Sequence, residues 1–129
     1  MSPRAQTIAV LRWTGVPEAT AELALIADDP DAPGGTFVHW VLYAVPAGVT
    51  ELGERTVPAG AVEGVNDFGR SGWGGPCPPR GHGTHRYVFH VYALSKTLGL
   101  PPGATAGRIR DAMRGSVAGE GTLTGRYGR

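Results

Sequence analysis

His85-Arg86-Tyr87-Val88-Phe89-His90-Val91-Tyr92-Ala93-Leu94 follows closely on the loop Gly74-Gly75-Pro76-Cys77-Pro78-Pro79-Arg80-Gly81. Glycine frees the backbone and proline restricts it, both in ways that suit turns. The loop therefore reads as a rigid turn that delivers the chain into a strand. That strand opens on ionisable side chains and continues apolar. Polar groups at the mouth of an apolar strand point to a pocket at a sheet edge. His85 and Tyr87 stand two residues apart and share one face; Arg86 and His90 belong to the other.

A second polar cluster lies upstream, in Asp28-Asp29-Pro30-Asp31-Ala32-Pro33. Pro30 lacks a backbone N–H and sits poorly inside a strand, so the segment is expected to be a strand end turning into a loop. Asp and Pro also favour turns for their own sake. His39 follows within Phe37-Val38-His39-Trp40-Val41-Leu42-Tyr43. A lone His in an apolar strand is ordinarily a satisfied core residue. Two Asp/His-bearing segments on separate strands nevertheless supply what a small anion or metal site needs.

The remaining chain completes a mostly β reading. Short apolar runs punctuated by 21 glycines and 11 prolines suit strands joined by turns. Strands are expected at residues 7–13, 21–27, 37–45, 86–94 and 121–127. Several are apolar on both faces, as in central strands of a covered sandwich. Residues 14–20 and 46–50 read as turns, and 51–67 as a longer connection with strand character at Ala61-Val62-Glu63. One helix is expected over residues 106–114, capped by Thr105, with Ile109, Ala112 and Met113 on one face and Gly115 as the stop.

The length of 129 residues fits a single domain, 1–129. The net charge of +1 gives no general pull toward nucleic acid or membrane. Residues 14–67 carry nine acidic side chains and one basic one, whereas 70–129 carry nine basic and two acidic. The halves are expected to complement each other on folding; the functional alternative is a basic rim around an anion site. Cys77 stands alone, so no intrachain disulfide forms, and it reads as inert packing. His82, between glycines, reads as solvated. No signal-peptide pattern or membrane-length apolar run is present, and the expected compartment is the cytoplasm. GxGxxG, P-loop, CxxC and HExxH patterns are all missing, so no cofactor is expected.

Taken in order, Asp29-Pro30-Asp31-Ala32-Pro33, His39-Trp40-Val41, Asn66-Asp67-Phe68-Gly69, the 74–81 loop and His85 to Leu94 resemble the phosphatidylethanolamine-binding protein (PEBP) family. The likeness is to its bacterial and archaeal, Raf kinase inhibitor-like branch, and the tail Gly121 to Arg129 resembles that branch's last strand. Each motif is weak alone, and their order over residues 13–129 is specific. The resemblance implies an antiparallel β-sandwich with one short helix in the C-terminal region. It also implies a small pocket for anionic, phosphoryl-type groups, lined by Asp29, Asp31, His39, Pro79, His85 and Tyr87, with Gly75 and the 76–79 turn as its wall. Three departures stand out. The chain starts close to the family's second strand region, which leads to an expected homodimer. Ser116 stands where relatives often carry His. The long C-terminal helix of eukaryotic members has no counterpart, so kinase regulation is not carried over.

The expected chemistry follows from the residue types. Two carboxylates repel a phosphate unless imidazole intervenes. An Asp accepting from one ring nitrogen favours the imidazolium, whose other nitrogen donates a charge-assisted bond to a phosphoryl oxygen. Backbone N–H groups near Gly74-Gly75 and the Tyr87 hydroxyl add donors. The leading expectation is a non-enzymatic binding module for a small anionic or phosphorylated ligand, with regulation or inhibition of a partner protein as its role. One alternative is a metal-dependent phosphoester hydrolase on Asp29, Asp31, His39 and His85. Another is a protease inhibitor or protein-interaction scaffold that works through its loops. No aromatic-basic stripe supports nucleic-acid binding.

Overall fold

The computed structural model describes residues 2–7, 10–32, 34–53, 57–72 and 84–128, with side chains at 11–32, 34–53, 57–72 and 87–124. In chain order the elements are β1 (Ser2–Thr7), β2 (Val10–Thr14), β3 (Glu22–Asp29), β4 (Phe37–Pro46), β5 (Glu51–Gly53), β6 (Val62–Glu63), β7 (Thr84–Leu94), α1 (Ala106–Met113) and β8 (Val117–Gly128). Two antiparallel sheets form, of order β1-β2-β5 and β6-β4-β3-β7-β8.

The larger sheet is covered on both faces. On one, Leu23, Leu25, Trp40, Leu42, Tyr87, Phe89 and Val91 pack with Leu11, Trp13 and Leu52 of the small sheet. On the other, Ala24, Ile26, Val41, Tyr43 and Leu94 pack with Ala106, Ile109 and Met113 of α1 and with Ala104 before it. This double burial is why β3 shows no polar alternation: every one of its residues is buried.

The helix forms where the cap and apolar spacing place it. The Thr105 hydroxyl accepts from the Arg108 N–H at 3.2 Å, and Gly115 adopts φ 77° just past the last turn. The expected single strand at 7–13 is instead two, with Thr7 closing β1 opposite Val10, which opens β2. The apolar run from Ile8 to Leu11 contains no Gly, Pro, Asn or Asp, so nothing local announced that reversal. Likewise β8 begins at Val117 rather than 121, because pairing with β7 outweighs the low strand preference of Gly119 and Gly121.

Two irregularities shape β4. Between the pairs Ala27–Trp40 and Asp28–Val38, one extra residue, His39, is inserted. The second irregularity falls between the pairs Leu23–Val45 and Leu25–Leu42, where Ala44 adopts φ 54°. The Ala44 N–H donates to Glu22 Oε2 at 3.2 Å. Burial pushes the Glu22 carboxyl above its usual range, opposed by the backbone N–H groups of Ala44 and Leu98. A left-handed conformation strains an L-residue by about 1–2 kcal/mol. Ala44→Gly is therefore expected to raise stability by about 0.5–1 kcal/mol, after the greater flexibility of glycine in the unfolded chain is deducted. Urea denaturation checks this, and a less stable variant would show that Ala44 is unstrained.

Candidate functional site

Asp29, His39 and Tyr87 lie at one end of the larger sheet, on the face toward the small sheet. Asp29 is the last residue of β3 and pairs with Phe37. The β3–β7 register ends at Asp28 opposite Val88, so one step further Asp29 comes level with Tyr87. Asp29 is 2% exposed, and its Oδ1 accepts from the Asp31 N–H at 2.8 Å. That bond makes the expected strand-end turn, with Pro30 as its middle residue and Asp31 exposed.

His39 reaches this face only because of the bulge. Strict alternation would put it with Val41 and Tyr43, which face α1. The inserted residue instead stands beside Trp40 on the side of Tyr87. His39 is 4% exposed, and its ring lies 5.1 Å from Tyr87 and 5.1 Å from Phe37, centre to centre. The neighbouring Trp40 indole N–H donates to Glu63 Oε2 at 3.0 Å, tying the bulge to β6.

A loop at residues 66–72 completes the surroundings. The Asp67 N–H donates to the Val38 carbonyl at 2.8 Å, and Asp67 Oδ2 accepts the Val38 N–H at 2.7 Å. Asn66 is buried; its Oδ1 accepts from the N–H of Phe68 at 2.9 Å and of Arg70 at 3.3 Å, and its Nδ2 donates to the Gly72 carbonyl at 2.9 Å. Phe68 is thereby held 4.7 Å from Phe37 and 5.7 Å from His39, ring to ring. Phe37 and Phe68 were not among the expected site residues. The signal was Asn66-Asp67-Phe68-Gly69, read as a motif without a structural role.

Asp28 belongs elsewhere. Period two turns it to the α1 face, where its Oδ2 lies 3.1 Å from His90 Nε2 and 3.5 Å from an Arg110 guanidinium nitrogen. His90 stacks on Tyr92 at 6.2 Å and 7°. Burial pushes the Tyr92 phenol up, and the charge and hydrogen bond of Arg110 pull it back. His90 is thus separate from the Asp29 cluster, as its face in β7 requires. Asp28 also joins the acidic half of the chain to the basic half, as complementary halves should.

His85 lies in β7, paired with Tyr127; its side chain lies outside those described. Gly75, Pro79 and the rest of the 74–81 loop, including Cys77 and the Gly74-Gly75 donors, lie outside the described residues, as does His82. Among the described residues no group of three or more His, Cys, Asp or Glu is placed to hold a metal ion. No described helix is long and apolar enough to cross a membrane.

A buried imidazole, a buried carboxylate and aromatic rings thus stand at one end of a two-sheet antiparallel fold. The chain from residue 3 to 128 matches the family model for phosphatidylethanolamine-binding protein, and it belongs to that family. A "UPF0098 protein" of Aquifex aeolicus is 52% identical over 122 residues, spanning 91% of this chain and 71% of the relative. The crystal structure of Escherichia coli YbcL, described as a new member of the mammalian PEBP family, aligns with a TM-score of 0.83 at 36% identity. It covers 93% of this chain and 79% of YbcL. A Mycobacterium tuberculosis protein named "Putative lipoprotein LppC" is 43% identical over 117 residues, covering 91% of this chain and 58% of that protein.

Proposed function

We propose that this chain is a binding module rather than an enzyme, taking a small anion of the phosphoryl, phosphoethanolamine-like kind at Asp29, His39, His85 and Tyr87. The supporting observation is His39 itself. A bulge turns a buried imidazole out of the α1-facing core and sets it against Tyr87, at the end of the sheet where β3 closes on Asp29. In this reading the protonated ring donates a charge-assisted bond to a phosphoryl oxygen. Membership of a family named for phosphatidylethanolamine binding supports the ligand class. Asp31, with Gly75 and Pro79 of the loop before β7, completes the pocket in this reading. The reading extends to a cytoplasmic homodimer that regulates or inhibits a partner protein.

Calorimetry of metal-stripped protein with phosphate, O-phosphoethanolamine and sulfate tests the site. The imidazolium donates and attracts, so affinity is full below the imidazole range near pH 6.5 and falls as pH rises through it. Phosphate gains charge in the same range and partly opposes the trend, whereas sulfate does not titrate there and isolates the protein's contribution. Sulfate affinity is expected to fall between about pH 5.5 and 8.5. A flat profile would remove histidine from the site, and binding that appears only after zinc is added would turn the reading to metal chemistry.

A further inference from the structure

Phe68 is 49% exposed, yet it is held in place. Asn66 fixes its N–H, and Asp67, the residue before it, is tied to Val38 by two hydrogen bonds. Its ring packs edge-on to Phe37 and His39. A loop braced by a buried Asn and a doubly bonded Asp therefore displays half an aromatic ring to solvent beside a buried imidazole. Apolar surface left in water forgoes about 25 cal/mol per Å² until something covers it. The Phe68 ring centre lies 5.7 Å from that of His39, within reach of a ligand held there.

We propose that Phe68 is a specificity-determining residue. With Phe37 it forms an apolar wall beside His39 that selects phosphomonoesters carrying a hydrocarbon substituent over inorganic phosphate. The inference rests on the anion-site reading of His39 and adds the substituent. The phosphoryl group takes the polar side of the site, and the first carbons of the ester lie along the two rings. No covalent step is involved. Phe68 acts on which anion is held, and the hydrogen bonds to the phosphoryl oxygens come from other residues.

Calorimetry with inorganic phosphate, propyl phosphate, phenyl phosphate and O-phosphoethanolamine tests it, on the wild-type chain and on Phe68→Ala and Phe68→Leu, each with a melting curve. Phenyl phosphate is expected to bind wild type about tenfold more tightly than phosphate, with propyl phosphate between them. Phe68→Ala is expected to erase that ratio while changing phosphate affinity by less than about twofold, and Phe68→Leu to keep part of it. Equal wild-type affinities for phosphate and phenyl phosphate would overturn the inference and leave the anion site standing. A Phe68→Ala loss shared equally by all ligands would reduce Phe68 to a support for His39. Tighter binding of O-phosphoethanolamine than of propyl phosphate would make the wall a cation selector instead. Failure of every anion to bind wild type would fell the anion site itself, and this inference with it.

Discussion

His39→Ala is expected to weaken binding of phosphate and O-phosphoethanolamine by about 10- to 100-fold at pH 6, the largest functional effect of any single described residue. A hydrogen bond from a charged donor contributes about 1.5–3 kcal/mol, and each 1.4 kcal/mol is a decade in affinity. The ring is held before a ligand arrives, by Phe37 and Tyr87 at 5.1 Å. Little ordering is then left for binding to supply. His39→Gln keeps a neutral donor of similar reach, so it should bind with intermediate affinity and lose His39's share of the pH dependence. Calorimetry beside a melting curve separates lost contact from lost fold. Wild-type affinity in a folded His39→Ala protein would place the anion elsewhere.

Gly64→Ala is expected to destabilise the fold by about 3 kcal/mol or more, the largest stability effect of a single methyl group here. Gly64 is buried, and its backbone does not need glycine's positive φ. Space is the constraint: an added Cβ would lie 2.2 Å from the Ala104 carbonyl oxygen and 2.8 Å from Val41 Cγ1. Neither neighbour is free to retreat. The Ala104 carbonyl accepts the Val65 N–H at 3.0 Å, and the Gly64 N–H donates to the Val41 carbonyl at 2.9 Å. Gly60 is a useful contrast, with φ 87° and nothing within 4 Å of an added Cβ. Its substitution strains a dihedral and displaces no neighbour. Urea denaturation of Gly64→Ala gives the answer, and a loss under about 0.5 kcal/mol would show that β6 and the segment before α1 part easily. Because residues 64 and 65 lead into the loop that carries Phe68, a tolerated but shifted variant should also blunt discrimination between phenyl phosphate and phosphate.

Much of the architecture was legible along the chain. Thr105, the spacing of Ile109 and Met113, and Gly115 set the helix within a residue of its observed ends, because caps and periodicity act over one or two turns. Pro30 announced the end of β3, and period two alone separated Tyr87 from His90. The β1–β2 reversal was hidden by an apolar run without turn residues.

The site divides along the same line. Residue types, strand faces within β3 and β7, and the ordered motifs of the family depend on near neighbours, so they can be read from the chain as it stands. The face that His39 occupies depends on a bulge, a mismatch of one residue between β3 and β4 that neither strand encodes alone. Phe68 stands at the site because Asp67 bonds to Val38, 29 residues away, and that contact exists only once β4 has paired. Tertiary pairing therefore decided which side of the sheet holds the imidazole and which ring stands beside it, since register over long separations is set by the packing of the whole sheet.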